Sequence, residues 1–273
     1  MPSDVIDFKL IGDDLQAVIV TLDPGEAVIA EAGAMMFMQD GIRMATTLDV
    51  TGTQTGLMGK LLGAGKRMLT GESFFITFFA NESQRRRDVA FAAPYPGKIA
   101  PIDLAQWGGT IVAQKDSFLC AARGVDLAIA FNRRIGAGFF GGEGFILQRL
   151  TGDGLVFLHA SGTMHTIDLT AGEVLRVDTG CLVALQPSVS FDIQMVPGIK
   201  TALFGGEGLF FAQLTGPGRV ILQTLPFSRL ADRIISASPK ARSAMSGGEG
   251  RLGGIAGLGA LGALGGLMND DNG

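Results

Sequence analysis

Short apolar runs separated by glycine-containing turns recur along the chain, and they predict β-strands rather than helices. Residues 141–158 read GGEGFILQRLTGDGLVFL, and residues 205–222 read GGEGLFFAQLTGPGRVIL, so these two segments nearly repeat each other. A weaker copy starts at Gly71 with GESFFITFFA. The runs are short, rich in β-branched residues or Phe, and bounded by Gly, Asp, Asn or Pro, which is typical of strands.

A second sequence element accompanies the first and divides the chain into three repeats. LDPGEAVIAEAGAMMFM at 22–38 matches LTAGEVLRVDTGCLVAL at 169–185, and GGTIVAQKDSFLCAA at 108–122 takes the same place in the middle copy. We therefore predict a single all-β domain over 1–236, built from three tandem sandwich-like repeats at about 15–103, 104–168 and 169–235. An insertion near 52–70 lengthens the first repeat.

The end of the chain departs from the strand pattern. Residues 227–236, FSRLADRIIS, place Phe227, Leu230 and Ile234 on one face, which predicts one short C-terminal helix. From 237 the chain is rich in glycine, with Leu or Ile at every third position from 252 to 267. A helix turns about 100° per residue, so this stripe would wrap around it. We predict a flexible tail over 237–273, with insertion into a membrane or a partner as the alternative.

Composition and charge exclude several classes of protein. Of 273 residues 41 are Gly, 47% are hydrophobic and 18% are charged, which excludes a disordered solvating chain and a coiled coil. The net charge of −4 does not favour a non-specific nucleic-acid binder. Two cysteines are too few for a disulfide framework, and the start MPSDVIDFKLIGDD lacks an apolar signal segment. We therefore expect a cytoplasmic protein with reduced thiols.

Taken together, several of these motifs resemble the altered-inheritance-of-mitochondria 24 family. The resemblance covers about 15–235 and implies an all-β fold of duplicated units, similar to the subunit of the tryptophan RNA-binding attenuation protein. It implies no catalytic residue, and the mitochondrial members of the family are associated with inner-membrane organisation. The motifs that carry the resemblance are GEAVIAEAGAMMFM (25–38), GAGKRMLTGESFF (63–75), YPGKIAPIDL (95–104), FFGGEGFILQRLTGDGLVFLHASG (139–162), VDTGCLVAL (177–185) and LFGGEGLFFAQLTGPGRVILQTLPFSRLA (203–231).

Three glutamates and three arginines are the candidate binding residues. Glu72, Glu143 and Glu207 each follow a glycine at the same place in a repeat, so repeats around a pseudo-threefold axis could bring the carboxylates together on a cation or a basic partner. The simpler interpretation, which we favour, is that each accepts backbone N–H groups within its own turn. The arginines form a charge run at a predicted hairpin tip, where a solvated loop is usual and an RNA or anionic-lipid contact is the alternative: Arg85, Arg86 and Arg87.

The functional prediction is a non-enzymatic oligomeric scaffold or interaction protein. No metal-ligand spacing accompanies the histidines His159 and His165, so we expect no metal, no cofactor and no catalytic residue. Low charge and runs apolar on both faces, such as FFITFF at 74–79, indicate self-association, with a trimer as the candidate homo-oligomer. A membrane surface is a candidate place of action. The alternative is a module that binds a small ligand of unknown identity or a nucleic acid, and the single Trp and single Tyr disfavour nucleic acid.

Overall fold

A computed structural model describes residues 2–47, 76–133, 145–195 and 210–237. These residues form nineteen β-strands and one α-helix, α1 (Phe227–Ala237), which confirms the predicted all-β class with one short C-terminal helix. The chain divides into two compact units, Met1–Ser228 and Arg229–Gly273. The first unit contains the strands, and the described part of the second is helical. Beyond Ala237, the predicted tail lies outside the described residues.

The strands form four antiparallel sheets, which we call sheets A to D, and each is given in its spatial order. Sheet A consists of β1 (Asp7–Ile11), β2 (Ala17–Leu22), β7 (Arg87–Ala92) and β4 (Met35–Met38). Sheet B consists of β5 (Ile42–Thr47), β6 (Ile76–Asn81), β3 (Ala27–Glu31), β10 (Phe118–Ala122), β13 (Leu155–Ser161) and β8 (Gly97–Asp103). Sheet C consists of β11 (Asp126–Arg133), β12 (Phe145–Thr151), β9 (Thr110–Gln114), β16 (Leu182–Leu185), β19 (Gly218–Gln223) and β14 (Met164–Leu169). Sheet D consists of β15 (Val174–Asp178), β18 (Phe210–Thr215) and β17 (Ser190–Met195).

Glycine turns pass the chain from one sheet to the next. The turn between β2 in sheet A and β3 in sheet B has Gly25 at φ +87°, and the turn between β14 in sheet C and β15 in sheet D has Gly172 at φ +78°. These left-handed angles favour glycine, which has no Cβ to clash. The carboxylates of Glu26 and Glu173 each accept a backbone N–H at 2.8 Å inside these turns. The Gly25-Glu26 and Gly172-Glu173 dipeptides therefore form the turns at which the chain leaves one sheet and enters the next.

Three apolar cores fill the spaces between successive sheets. Each of sheets A and D contributes to one core, whereas sheets B and C each contribute to two. Consistent with this, every residue of β10 in sheet B is buried. The largest fully buried side chains of the three cores include Phe79, Phe91 and Phe157 between A and B, Leu150 and Leu158 between B and C, and Phe145 and Leu182 between C and D.

The arginine run does not sit at the tip of a hairpin, so that prediction is wrong. Strand β6, before the run, belongs to sheet B, and strand β7, which begins at Arg87, belongs to sheet A. The two strands therefore lie in facing sheets and do not pair. The physical reason is burial, because Phe79 of β6 and Phe91 of β7 both pack in the core between the two sheets.

Candidate functional site

Each inner sheet is assembled from two half-sheets that meet at one strand pair. In sheet B the half-sheet β5-β6-β3 continues into β10-β13-β8, and in sheet C the half-sheet β11-β12-β9 continues into β16-β19-β14. The junctions are the antiparallel pairs β3–β10 and β9–β16. We call the half-sheets before the junction the first type and those after it the second type. The same junction therefore occurs twice within one chain.

The two outer sheets each hold a single half-sheet. Sheet D, with the order β17-β18-β15, is a half-sheet of the first type, and β15 takes the place of β3 and β9. Sheet A contains the second-type half-sheet β4-β7-β2, extended by β1, and β4 takes the place of β10 and β16. Among the described strands, β4 pairs only with β7 and β15 only with β18. Within the described part of the chain, sheets A and D therefore each have one unpaired edge, and the two edges belong to half-sheets of complementary type.

The side chains of β4 are exposed where their counterparts in the inner sheets are buried. Phe37 and Met38 are each 38% exposed. Their counterparts in β10 and β16 are at most 3% exposed, namely Cys120, Ala121, Ala184 and Leu185. An exposed apolar edge strand invites pairing with another strand, and proteins usually cover or charge such an edge. Among the described residues, no strand pairs with the β4 edge, and β4 itself contains no charged residue.

The β15 edge shows the same contrast. Val174 is 50% exposed, whereas the first residue of β3, Ala27, is 2% exposed. Arg176 is exposed, with its guanidinium carbon 5.9 Å from the centroid of the Phe211 ring. A charged side chain on an edge strand discourages indiscriminate pairing, so the two open edges differ in chemistry.

The structure describes only some of the residues that the sequence nominated for binding. Glu72, Glu143 and Glu207 lie outside the described residues, and the strands that follow them, β6, β12 and β18, belong to three different sheets. His159 on β13 and His165 on β14 also lie in different sheets. Within the described parts of the chain, no three His, Cys, Asp or Glu side chains are grouped as a metal ion would require.

The arginine run is partly committed to ion pairs within the protein. The Arg86 guanidinium binds the carboxylate of Asp7 and also that of Asp23, whose Oδ1 lies 2.9 Å from Arg86 Nε. The hydrogen bond to Asp7 and the negative charge of Asp23 raise the pKa of Arg86. The Arg85 carbonyl accepts a hydrogen bond from Asn81 Nδ2 at 2.8 Å. Arg86 thus ties the start of sheet A to the turn between β2 and β3.

A buried histidine on β13 and a half-buried glutamate at the end of β3 have strongly shifted pKa values. The His159 ring is 1% exposed and meets the Tyr95 ring edge-on, with centroids 4.5 Å apart, and Phe227 stacks on Tyr95 at 5.0 Å. Burial lowers the pKa of His159 to about 4. Burial, and then the negative charge of Asp116, raise the pKa of Glu31 to about 7. These shifts follow from packing in the interior of the fold.

The His159 shift makes one contribution to stability fall in mild acid. The unfolded chain binds this proton with the ordinary pKa of 6.5, but the folded chain binds it only near pH 4. The unfolded state therefore gains this proton first, and the contribution of His159 to the free energy of unfolding falls as the pH drops through this window, by about 3 kcal/mol at most. Glu31, with its raised pKa, acts in the opposite direction over the same range, so the measurement is the difference between the wild type and His159→Gln in urea unfolding at each pH. The wild type is expected to lose stability relative to the variant as the pH falls from about 7 to about 4, and parallel pH profiles of the two proteins would contradict the assignment.

The sequence of the chain matches a known protein family. The family described as Mitochondrial biogenesis AIM24 matches residues 8–225 of the chain. The chain belongs to the AIM24 family. The match includes both open edges and confirms the resemblance that the sequence motifs indicated. Among the described residues of this AIM24 protein, no helix is long and apolar enough to cross a membrane.

A solved structure shares the AIM24 fold. The crystal structure of protein SPYM3_0169 from Streptococcus pyogenes matches with a TM-score of 0.65 and 22% sequence identity, covering 85% of this chain and 100% of that one. At this identity the likeness shows the fold alone. A comparison with curated proteins gives no match.

The two open edges escaped the sequence analysis, although one signal could have pointed to them. Arg176 stands where the other two repeats have Ile29 and Val112, which are 5% and 7% exposed. The charged Arg176, in place of an apolar residue, therefore marks β15 as the strand that has no second partner among the described strands. The signal becomes readable only when the spatial order of the strands is known.

Proposed function

We propose that this AIM24-family protein is a non-enzymatic scaffold that acts as a homo-oligomer. One observation carries the proposal: sheet D ends in a half-sheet of the first type, and sheet A begins with one of the second type. These are the two halves that join in sheets B and C. A second copy therefore offers each open edge the partner that the fold already uses twice.

Burial of apolar surface supports assembly through these edges. Phe37 and Met38 lose exposed apolar surface when a neighbouring copy packs against this edge, and removal of apolar area from water contributes about 25 cal/mol per Å². The contact is head-to-tail, because the β4 edge of one copy meets the β15 edge of another. Contacts of this kind form rings when the rotation closes and filaments when it does not. A trimer is the ring that we propose.

The same apolar residues could instead meet a membrane surface, and the inner sheets favour the protein partner. At every counterpart of Phe37 and Met38 in sheets B and C, the backbone edge is paired with a β-strand of the neighbouring half-sheet. A lipid surface supplies no N–H and C=O groups to a strand edge. We therefore assign the exposed residues of β4 to self-association.

The alternative of a ligand-binding or nucleic-acid-binding module gains little from the arginine run. Its middle residue, Arg86, already binds two carboxylates, so a phosphate would have to compete with Asp7 and Asp23. Contacts to phosphate depend on accessible cationic groups. The scaffold proposal requires no such competition.

Native mass spectrometry of the protein purified from its own cells tests the proposal. The expected spectrum shows a multiple of the 28.5 kDa chain, with no additional bound mass. A species of 28.5 kDa at all protein concentrations would contradict the scaffold proposal. A chain that retains a stoichiometric small molecule or nucleic acid would favour the binding-module alternative.

A further inference from the structure

We propose that β4 of one copy pairs antiparallel with β15 of the next copy in a single register, with Phe37 opposite Val177 and Met38 opposite Arg176. This inference rests on the proposed self-association and specifies the strands and the residues that form it. The partner is a second copy of this chain. The register follows from three features that recur in the repeats.

The first feature is a β-bulge at the same place in three strands. Strand β4 pairs with β7, β10 with β13, and β16 with β19, and each of these ladders shifts register once. A bulge pins the register of a strand, because the inserted residue fits only one place in the ladder. The first paired residues after the three bulges are therefore equivalent, and they are Phe37, Cys120 and Ala184.

The second feature is the agreement between the two inner junctions. In sheet B, Cys120 faces Ala30 and Ala121 faces Ile29. In sheet C the junction has the corresponding pairs Ala184 with Ala113 and Leu185 with Val112. The residue after the bulge thus meets the same position of the partner strand both times. Both junctions therefore have the same register, in which the first paired residue after the bulge lies opposite Ala30 or its equivalent Ala113.

The third feature identifies that position in β15. Ala30 pairs with Thr77 of β6, and Ala113 pairs with Gln148 of β12. In the sequence, each of these partners comes five residues after the glutamate of a repeated Gly-Glu dipeptide, namely Glu72 and Glu143. In the third repeat, the residue at that place is Ala212, and its partner in β15 is Val177. The facing residues in the three repeats are Thr77, Gln148 and Ala212. The rule therefore places Phe37 opposite Val177.

The chemistry of the two edges suits this register. Val177 packs in the core between sheets C and D, so Phe37 of the next copy extends that core. Met38 then lies opposite Arg176, whose aliphatic stem can cover the methionine while its guanidinium stays near the Phe211 ring. A slip by one residue would turn every side chain of β4 to the other face. It would place Phe37 beside the guanidinium.

Disulfide trapping between two singly substituted chains tests the register. One chain carries Met38→Cys, the other carries Arg176→Cys, and both carry Cys181→Ser to remove the half-buried native thiol. The two chains are co-expressed, oxidised gently and separated without reductant. We expect a disulfide-linked dimer from the mixture and at least a tenfold smaller yield from either chain alone. Opposite residues of neighbouring strands are close enough for the bond.

A matched control replaces Arg176→Cys with Val177→Cys, which lies on the other face of β15. The proposed register predicts at least tenfold less dimer from this control mixture, and an equal or larger yield would overturn it. Dimer formation by Met38→Cys alone would show that two β4 edges pair with each other, which also overturns the register. Native mass spectrometry of the same samples distinguishes failure of the register from failure of the proposed self-association. Oligomers without the expected disulfide refute only the register, whereas monomers refute the proposed function.

Discussion

Replacing Phe37 with lysine is expected to dissociate the assembly into monomers. In the proposed junction, Phe37 joins the core between sheets C and D of the neighbouring copy, and a lysine there would place a charge among the apolar side chains of that core. An unpaired buried charge costs about 3–5 kcal/mol, which weakens association by a factor of about one hundred to a few thousand. Sedimentation velocity over a range of protein concentrations measures this shift. Within the chain Phe37 is 38% exposed, so the fold of each copy is expected to persist.

The matched control is Met44→Lys. Met44 is 47% exposed and lies on β5, an edge strand of sheet B that takes no part in the proposed junction. It adds the same charge to a similarly exposed apolar position, and the oligomer is expected to survive. Equal dissociation by the two variants would show that net charge, rather than the β4 edge, controls assembly. Survival of the oligomer in Phe37→Lys would contradict the role given to that edge.

Replacing Phe157 with alanine is expected to cost about 3–5 kcal/mol of the free energy of unfolding. Phe157 lies on β13 in the middle of the fold, is 0% exposed and meets the Phe8 ring edge-on at 5.0 Å. Alanine leaves a cavity in the core between sheets A and B. Sheet B also supports the core between B and C, so we expect the strand region to unfold in one cooperative transition. Urea unfolding at fixed protein concentration measures the loss.

The matched control is Leu155→Ala on the same strand. Leu155 is half-buried at the margin of the same core, so its truncation is expected to cost about 1 kcal/mol. A cost below about 1 kcal/mol for Phe157→Ala would contradict the packing described for sheet B. Two separate transitions in that variant would show that the repeats fold independently, against the sharing of sheets between them.

Local sequence signals predicted the parts of the fold that depend on local physics. The glycines between apolar runs predicted turns, and Gly25 and Gly172 do adopt left-handed backbone angles in turns. The short apolar runs predicted strands. The helix at 227–236 was also predicted, and it is observed at Phe227–Ala237. These features need only neighbouring residues to explain them.

The assignment of strands to sheets depends on distant residues and was not predicted. The sequence suggested burial of the run at 74–79 on both faces, yet within its described part Phe79 is 1% exposed and Phe78 is half-buried. Strand β6 belongs to a first-type half-sheet, so Phe79 packs in the core between sheets A and B, while Phe78 only borders the core between sheets B and C. The sequence of a strand does not state which sheet will cover its second face.

The candidate site was harder to predict than the fold for a related reason. An open edge is defined by the strand that does not pair with it, and no local motif encodes this. Phe37 and Met38 look like ordinary core residues in the sequence, since strand positions with the same apolar character are buried in the other repeats. Only the order of strands in sheets A and D shows that these two residues face outward.

A cryo-EM structure of the purified assembly would show directly whether the β4 and β15 edges of neighbouring copies pair. Pairing of these edges predicts one continuous seven-stranded sheet across each contact between copies, with β17, β18 and β15 of one copy followed by β4, β7, β2 and β1 of the next. In that sheet Phe37 stands opposite Val177. Copies that meet through other surfaces, or β4 and β15 edges left open to solvent, would contradict the account.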